Sequence, residues 1–159
     1  MVGIVIVSHS RELADSIVEF TKMMAPEALI RAAGGMDDGT LGTSYEKIYQ
    51  AIEDVYSEDG VLVMMDMGSA VMTTEMVLEE MSDKKIEMID CPIVEGAVAA
   101  TVAASAGADF EEVKQNALEA KTVSKFYNPQ ISKPTLRHPN LFRFISHVRN
   151  AYRQPARHP

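Results

Sequence analysis

A chain of 159 residues, 47% hydrophobic and 24% charged, has the size and composition of one ordinary globular domain, which argues against a disordered polymer, a fibrous repeat or a multidomain protein. Its net charge of −8 is unevenly spread: residues 1–130 hold 9 Lys/Arg and all 23 Asp/Glu, a balance of −14, whereas residues 131–159 hold 6 Lys/Arg and no acid. So acidic a body repels nucleic acid and favours cationic protein surfaces. A single cysteine, Cys91, allows no internal disulfide, and the apolar opening MVGIVIV is too short and too uncharged in front for a signal peptide, so a reducing cytoplasm is expected. The longest apolar stretches fall well short of the ~20 residues of a membrane span.

Val2–Ser8 is a continuous, β-branched apolar run, which predicts a strand buried on both faces with His9 at its end. From Ser10 to Met24 the apolar residues Leu13, Ile17, Phe20 and Met24 fall on one helical stripe, and Pro26 stops it. Ala28–Ala33 predicts a second strand, closed by Gly34-Gly35 and the polar turn Asp37-Asp38-Gly39. Thr43 with Glu46 matches a capping box, so Thr43 is expected to cap a helix that runs to about Tyr56. Gly60–Asp66 repeats the opening pattern, an apolar strand ending in a polar residue. Met67–Ala70 then leads into a helix through about Met81. Ile86–Ile89 is a fourth strand, Asp90-Cys91-Pro92 a stop, and Val94–Ala106 an alanine-rich helix. Asp109, with Glu112 at the box position, caps a last helix continuing to about Lys125. Strands alternating with helices at this spacing predict an α/β fold: an open, mostly parallel sheet of about four or five strands, with helices on both faces.

The boundary falls near residue 127. The segment 128–159 carries five of the seven prolines and is rich in arginine. It reads as an appended basic tail, disordered or vector-derived, with a docking arm as the functional alternative.

In an open α/β sheet, ligands and reacting groups collect at the carboxyl ends of the strands. Those ends offer Ser8-His9-Ser10, Gly34–Asp38, Asp66–Ser69 and, beyond Pro92, Glu95-Gly96. His9 is the only histidine before residue 138, which excludes a His-rich metal site. Neither Gly-x-x-x-x-Gly-Lys-Ser/Thr nor Gly-x-Gly-x-x-Gly occurs, so the chain is not expected to bind a nucleotide itself, and no cofactor or metal is expected. A Ser/His/Asp triad is formally available from Ser8, Ser10 or Ser69 with His9 and Asp66, but the usual Gly-x-Ser-x-Gly elbow is missing.

What remains is His9 as a nucleophile toward phosphorus, with Asp66 holding its other ring nitrogen. Amides of the Gly68-Ser69 turn and of the helix behind Ser10 are placed to meet phosphoryl oxygens. Each residue has a blander reading: His9 as a helix cap or a partner of some neighbouring carboxylate, Asp66 as an ordinary N-cap, Asp37 and Asp38 as solvated turn residues, Glu95 as a helix-end acid. Among the methionines around the third strand, Met64, Met65, Met72, Met76 and Met81 read mainly as core. Met67, in a turn, reads as a docking residue. Cys91 reads as a small buried hydrophobe.

Four segments then carry a resemblance: Val7–Ser10; Gly34–Asp38 followed by Leu41-Gly42-Thr43; Val61–Ala70; and Pro92–Ala97. In this order they closely resemble the phosphotransferase subunit of bacterial phosphoenolpyruvate-dependent dihydroxyacetone kinase, within the wider mannose-type enzyme IIA group. The resemblance covers residues 1 to about 125. It implies that His9 takes a phosphoryl group from the phosphocarrier protein HPr, itself a separate chain. His9 would pass the group to ADP held on the kinase's nucleotide-binding subunit. The resemblance also implies Asp66 beside the histidine, Gly35, Gly68 and Ser69 in the surrounding loops, and a homodimer. Two alternatives stay open: a mannose-type sugar-transport enzyme IIA, which would hand the phosphate to a IIB domain, and a partner-binding module without turnover.

Overall fold

The computed structural model describes residues 1–125; the segment 128–159, read above as an appended tail, lies outside them. Four strands form one parallel sheet in the order β2-β1-β3-β4: β1 (Gly3–Ser8), β2 (Ile30–Gly34), β3 (Val61–Met65) and β4 (Ile86–Ile89). Five helices alternate with them, α1 (Arg11–Lys22), α2 (Tyr45–Val55), α3 (Ser69–Glu80), α4 (Ile93–Ser105) and α5 (Phe110–Glu119). The expected architecture holds, with four strands and every one of them parallel.

The strand period of two divides the core. Ile4 and Ile6 of β1 join Leu62 and Met64 of β3 against Ala14 and Ile17 of α1, Ala97 and Ala100 of α4 and Val113 of α5. Val5, Val7 and Val63 face the other way, onto Ile48 and Ile52 of α2 and Ala70 and Val77 of α3. Burial on both faces is why these strands read as unbroken apolar runs.

Four local expectations are corrected. First, α1 does not bury the stripe Leu13–Phe20; its buried residues are Ala14, Ile17 and Thr21, and Leu13 and Phe20 stay exposed. The reason is a close approach. A Cβ at Gly34 would stand 2.6 Å from the Ser10 carbonyl oxygen and 2.8 Å from Ala14 Cβ and Arg11 Cα, so the helix lies too near β2 for a leucine between them. Second, α2 is capped by Ser44, whose Oγ accepts from the Lys47 amide at 3.4 Å, and Thr43 is released for another contact. Third, α5 stops at Glu119 rather than near Lys125. The chain beyond it closes with tight bonds from Ala120, Lys121 and Thr122 to carbonyls three residues back, and the Thr122 hydroxyl takes the Glu119 carbonyl at 2.9 Å. Fourth, two of the five methionines read as core lie outside it: Met65 packs partly buried against the core, whereas Met72 and Met76 do not. Met64 and Met81 are buried, but Met67, Met72 and Met76 are 70%, 66% and 59% exposed. Met72 and Met76 lie one turn apart on the outer face of α3, opposite Ala70, Thr74 and Val77.

No helix among the described residues is long and apolar enough to cross a membrane. The Gly34 contact makes a specific expectation. Gly34→Ala should destabilise the fold by about 1–3 kcal/mol, because the atoms it meets belong mostly to backbone and cannot give way. Urea denaturation should show a lower midpoint with an unchanged slope; an unshifted midpoint would contradict the packing described.

Candidate functional site

Chain topology decides what meets at the top of the sheet. β1 leads through α1 to β2 on one side and pairs with β3 on the other, so its carboxyl end is the point where the strand order reverses. The register Val7↔Met65 carries the chain after β1 alongside the chain after β3. The Asp66 amide accordingly bonds the Val7 carbonyl at 3.2 Å, and the Asp66 side chain reaches His9.

Asp66 is the organising group. Its Oδ1 stands 2.9 Å from His9 Nδ1 and accepts from the Met67 amide at 2.7 Å. Oδ2 accepts from the His9 amide and from the Ser8 hydroxyl, both at 2.9 Å. Burial alone would raise its pKa, but the His9 and Met67 amides, the Ser8 hydroxyl and the His9 ring outweigh it and hold the carboxyl below its ordinary value. It is therefore ionised and able only to accept, so Nδ1 carries a ring proton and, in the neutral ring, the lone pair lies on Nε2. Asp66 is not the N-cap of α3; that position is Gly68.

Nε2 lies 2.8 Å from Ser69 Oγ, and the His9 side chain keeps 34% of its surface open. Gly68 turns the chain into α3 with φ 56° and ψ −120°, a conformation that side chains other than glycine's rarely adopt. That turn sets Ser69 over the ring. The amides of Gly68 and Ser69 make no hydrogen bond among the described residues and remain available as donors.

The other expected residues are placed around this centre. Ser10 caps α1, its Oγ accepting from the Leu13 amide at 3.2 Å, and its own amide is held by Ser8 Oγ at 3.1 Å. Ser10 thus fixes the backbone behind His9. Gly35 donates its amide to the Ser8 carbonyl at 3.1 Å; no hydrogen bond joins it to the ring among the described residues. Met67 gives Asp66 its amide and exposes its side chain. Asp37 pairs with Lys47 at 3.6 Å and Asp38 holds the Thr40 amide and hydroxyl, so both serve the turn. The Cys91 thiol is pushed up to about 11, by burial first and then by Asp90, which suits an inert side chain. Among the described residues no cluster of three metal-ligating side chains occurs.

Two participants escaped sequence reasoning. Ser8, which the sequence offers only as a triad nucleophile, bridges Asp66 and the Ser10 amide. Thr43, expected as a cap, places its Oγ1 3.3 Å from Ser69 Oγ. Its signal was present in Thr43-Ser44, two adjacent hydroxyl residues of which only one can cap.

Ser69, His9 and Asp66 are linked in the order of a hydrolase triad. Their chemistry is nevertheless that of an imidazole with one nitrogen locked by a carboxylate and the other presented at a helix start rich in donors. Such a nitrogen is a nucleophile in its own right.

The depressed Asp66 pKa fixes the sign of a pH effect. A carboxyl held lower in the folded than in the unfolded chain adds stability that is complete above the unfolded value of about 3.9 and is lost as pH falls through the folded value. Wild type should therefore be more stable than Asp66→Asn at about pH 6, with the gap closing toward about pH 2.5 in urea denaturation series. A gap that stays constant across that range would contradict the assignment.

Comparison with known proteins places the chain. A family model described as the PTS system fructose IIA component matches residues 3–114. The chain is 43% identical over 131 residues to the phosphoryl donor subunit of PEP-dependent dihydroxyacetone kinase from Escherichia coli K12, covering 76% of this chain and 28% of that protein. It is 38% identical over 123 residues to the phosphotransferase subunit of the PTS-dependent dihydroxyacetone kinase from Lactococcus lactis, covering 77% of this chain and 98% of that one. It therefore spans little more than a quarter of the first relative and nearly all of the second. The crystal structure of a phosphotransferase system EIIA component from Streptococcus agalactiae superposes with a TM-score of 0.59 at 17% identity, over 77% of this chain and 93% of that one, which speaks to the fold alone. With most of its sequence matched by the family model and the whole architecture in agreement, this chain belongs to the PTS fructose IIA component family, the EIIA-man family.

Proposed function

We propose that residues 1–127 act as a phosphoryl-transfer subunit of a dihydroxyacetone kinase, working in the cytoplasm through a transient phosphohistidine on Nε2 of His9. The observation that carries this reading is the pairing of His9 Nδ1 with the ionised Asp66 while Nε2 remains accessible at the start of α3. The relatives from Escherichia coli and Lactococcus lactis, by name a phosphoryl donor subunit and a phosphotransferase subunit of that kinase, support the choice of pathway.

The step balances with the donor and acceptor that this reading names. The Nε2 lone pair attacks the phosphorus of a donor phosphohistidine on HPr, and the donor's P–N bond breaks as the new one forms. Nδ1 keeps its proton, so the phosphorylated ring becomes cationic beside the Asp66 carboxylate, which stabilises it. The Ser69 hydroxyl, displaced from Nε2, and the free amides of Gly68 and Ser69 are donors for the phosphoryl oxygens. In the second half-reaction a β-phosphate oxygen of ADP on the nucleotide-binding subunit attacks the same phosphorus, and the P–Nε2 electron pair returns to the ring.

Both partners must bring a reacting atom to Nε2, so both must cover what surrounds it. Leu41, 75% exposed, precedes Gly42, whose amide bonds the His9 carbonyl at 2.9 Å; Met67 follows Asp66. Two exposed apolar side chains thus flank the nucleophile on a body whose charge balance is −14 over residues 1–130. A partner that presents an apolar patch ringed by Lys and Arg is complementary to this surface. The family resemblance adds a homodimer, which sedimentation velocity tests.

Intact-mass spectrometry after incubation with phosphoenolpyruvate, enzyme I and HPr should find one acid-labile phosphate on wild type and none on folded His9→Ala. Asp66→Asn should take up phosphate at least roughly tenfold more slowly. Discharge by the ADP-loaded kinase subunit selects the kinase reading, discharge by a IIB domain selects sugar transport, and an uncharged wild type with active carriers refutes both. Met67→Glu should raise the half-saturating HPr concentration about tenfold and leave the saturated rate alone, since it touches docking and not the ring; an unchanged half-saturation would remove Met67 from the surface.

A further inference from the structure

Thr43 belongs to the loop between β2 and α2, yet its hydroxyl is turned to α3, 3.3 Å from Ser69 Oγ and 3.1 Å from Thr73 Oγ1. A hydroxyl has one proton to give. In the state able to attack phosphorus Nε2 is an acceptor, so Ser69 spends its proton there and the contact between Ser69 and Thr43 is a donation from Thr43. By the same count Thr73 donates to Thr43. The three hydroxyls form a chain of donors directed at the lone pair of His9.

The two ends of the Thr43–Ser69 contact are held differently. Ser69 is exposed at the first position of α3. The loop that carries Thr43 is tied down: the Gly42 amide bonds the His9 carbonyl, and Lys47 Nζ donates to the carbonyls of Gly34, Gly35 and Met36 at 3.2, 3.2 and 3.0 Å. Arg11 adds a bond to the Met36 carbonyl at 3.0 Å. Thr43 is therefore the fixed point against which the Ser69 hydroxyl is oriented.

We propose that Thr43 is a positioning residue for phosphoryl transfer at His9. Its hydroxyl holds Ser69 in the donor orientation before transfer. Once Nε2 has lost its lone pair to phosphorus, it keeps the Ser69 proton directed at a phosphoryl oxygen. The proposal rests on the reading of His9 as phosphoryl acceptor. Since Ser44 and not Thr43 caps α2, Thr43→Val removes the hydroxyl and leaves the cap in place.

The test is single-turnover uptake of phosphate from phosphorylated HPr, over a range of HPr concentrations, by the full chain as wild type, Thr43→Val and Thr43→Ser. Loss of one orienting hydrogen bond should lower the limiting rate of Thr43→Val about three- to tenfold with the half-saturating concentration unchanged, and Thr43→Ser should return to within about twofold of wild type. A Thr43→Val limiting rate equal to wild type overturns the proposal, as does a Thr43→Ser as slow as Thr43→Val or an effect confined to half-saturation. Those results would leave phosphoryl transfer by His9 standing, whereas a wild type that takes up no phosphate refutes that reading and this one together.

Discussion

Four hydrogen bonds onto one carboxylate hold the site together. Asp66 ties the His9 ring, the His9 amide, the Ser8 hydroxyl and the Met67 amide to two oxygens, and so joins the chain after β1 to the chain after β3. Charge-assisted bonds to a carboxylate are short and roughly twice as strong as neutral ones. The same bonds do three things: they keep the acid ionised, they hold a proton on Nδ1 of the ring, and they lock the backbone on either side of His9. A preorganised nucleophile costs little rearrangement at the moment of attack. Ser8 is as necessary to this as its buried position suggests, since its hydroxyl gives its proton to Asp66 and takes one from the Ser10 amide, leaving neither group unpaired at the end of a fully buried strand.

The constellation needs β1 and β3 side by side, and the sheet order is what supplies this. With β2 on its other edge, β1 has a neighbour on each side and the loops after all three strands converge. The loop after β2 reaches His9 through the Gly42 amide, so the His9 backbone is gripped from both sides. Small residues permit this convergence. Gly34 lets the first turn of α1 sit against β2, and Gly68 makes the turn that lays Ser69 over the ring.

Much of this was legible in the chain. The unbroken apolar runs ending in Ser8-His9 and in Asp66 named the strands and their polar ends, because burial on both faces leaves no room for alternation. What stayed hidden depends on distances between elements. The α1 stripe was read one position off because hydrophobicity favours Leu13, whereas the gap beside Gly34 admits only Ala14. Thr43 and Ser44 are chemically equivalent caps, and the choice between them is made by Ser69 and Thr73, which lie more than 20 residues away. Met72 and Met76 look like core because periodicity cannot tell an outer apolar face from an inner one when both faces of a helix are apolar; the pairing of Ala70, Thr74 and Val77 with the sheet decides it.

The absence of cations from the ring's own contacts bears on what a relay requires. Among the described residues no Lys or Arg bonds to His9 or Asp66. The two nearest in sequence to the site's loops, Arg11 and Lys47, are turned onto backbone carbonyls of residues 34–36, with Lys47 also paired to Asp37. A phosphoryl group on Nε2 would be met by amides and hydroxyls, neutral donors that stabilise it less than a guanidinium would. In a carrier that is an advantage. Under the proposed function, a group received from one phosphohistidine and surrendered to ADP should be bound with about the same free energy as in its donor, because every further kcal/mol of ground-state stabilisation is added to the barrier for the next transfer. The acidic body acts in the same direction: its field opposes retention of a dianion and favours cationic surfaces, and on the proposed function a cationic partner would supply the charge that the site itself withholds.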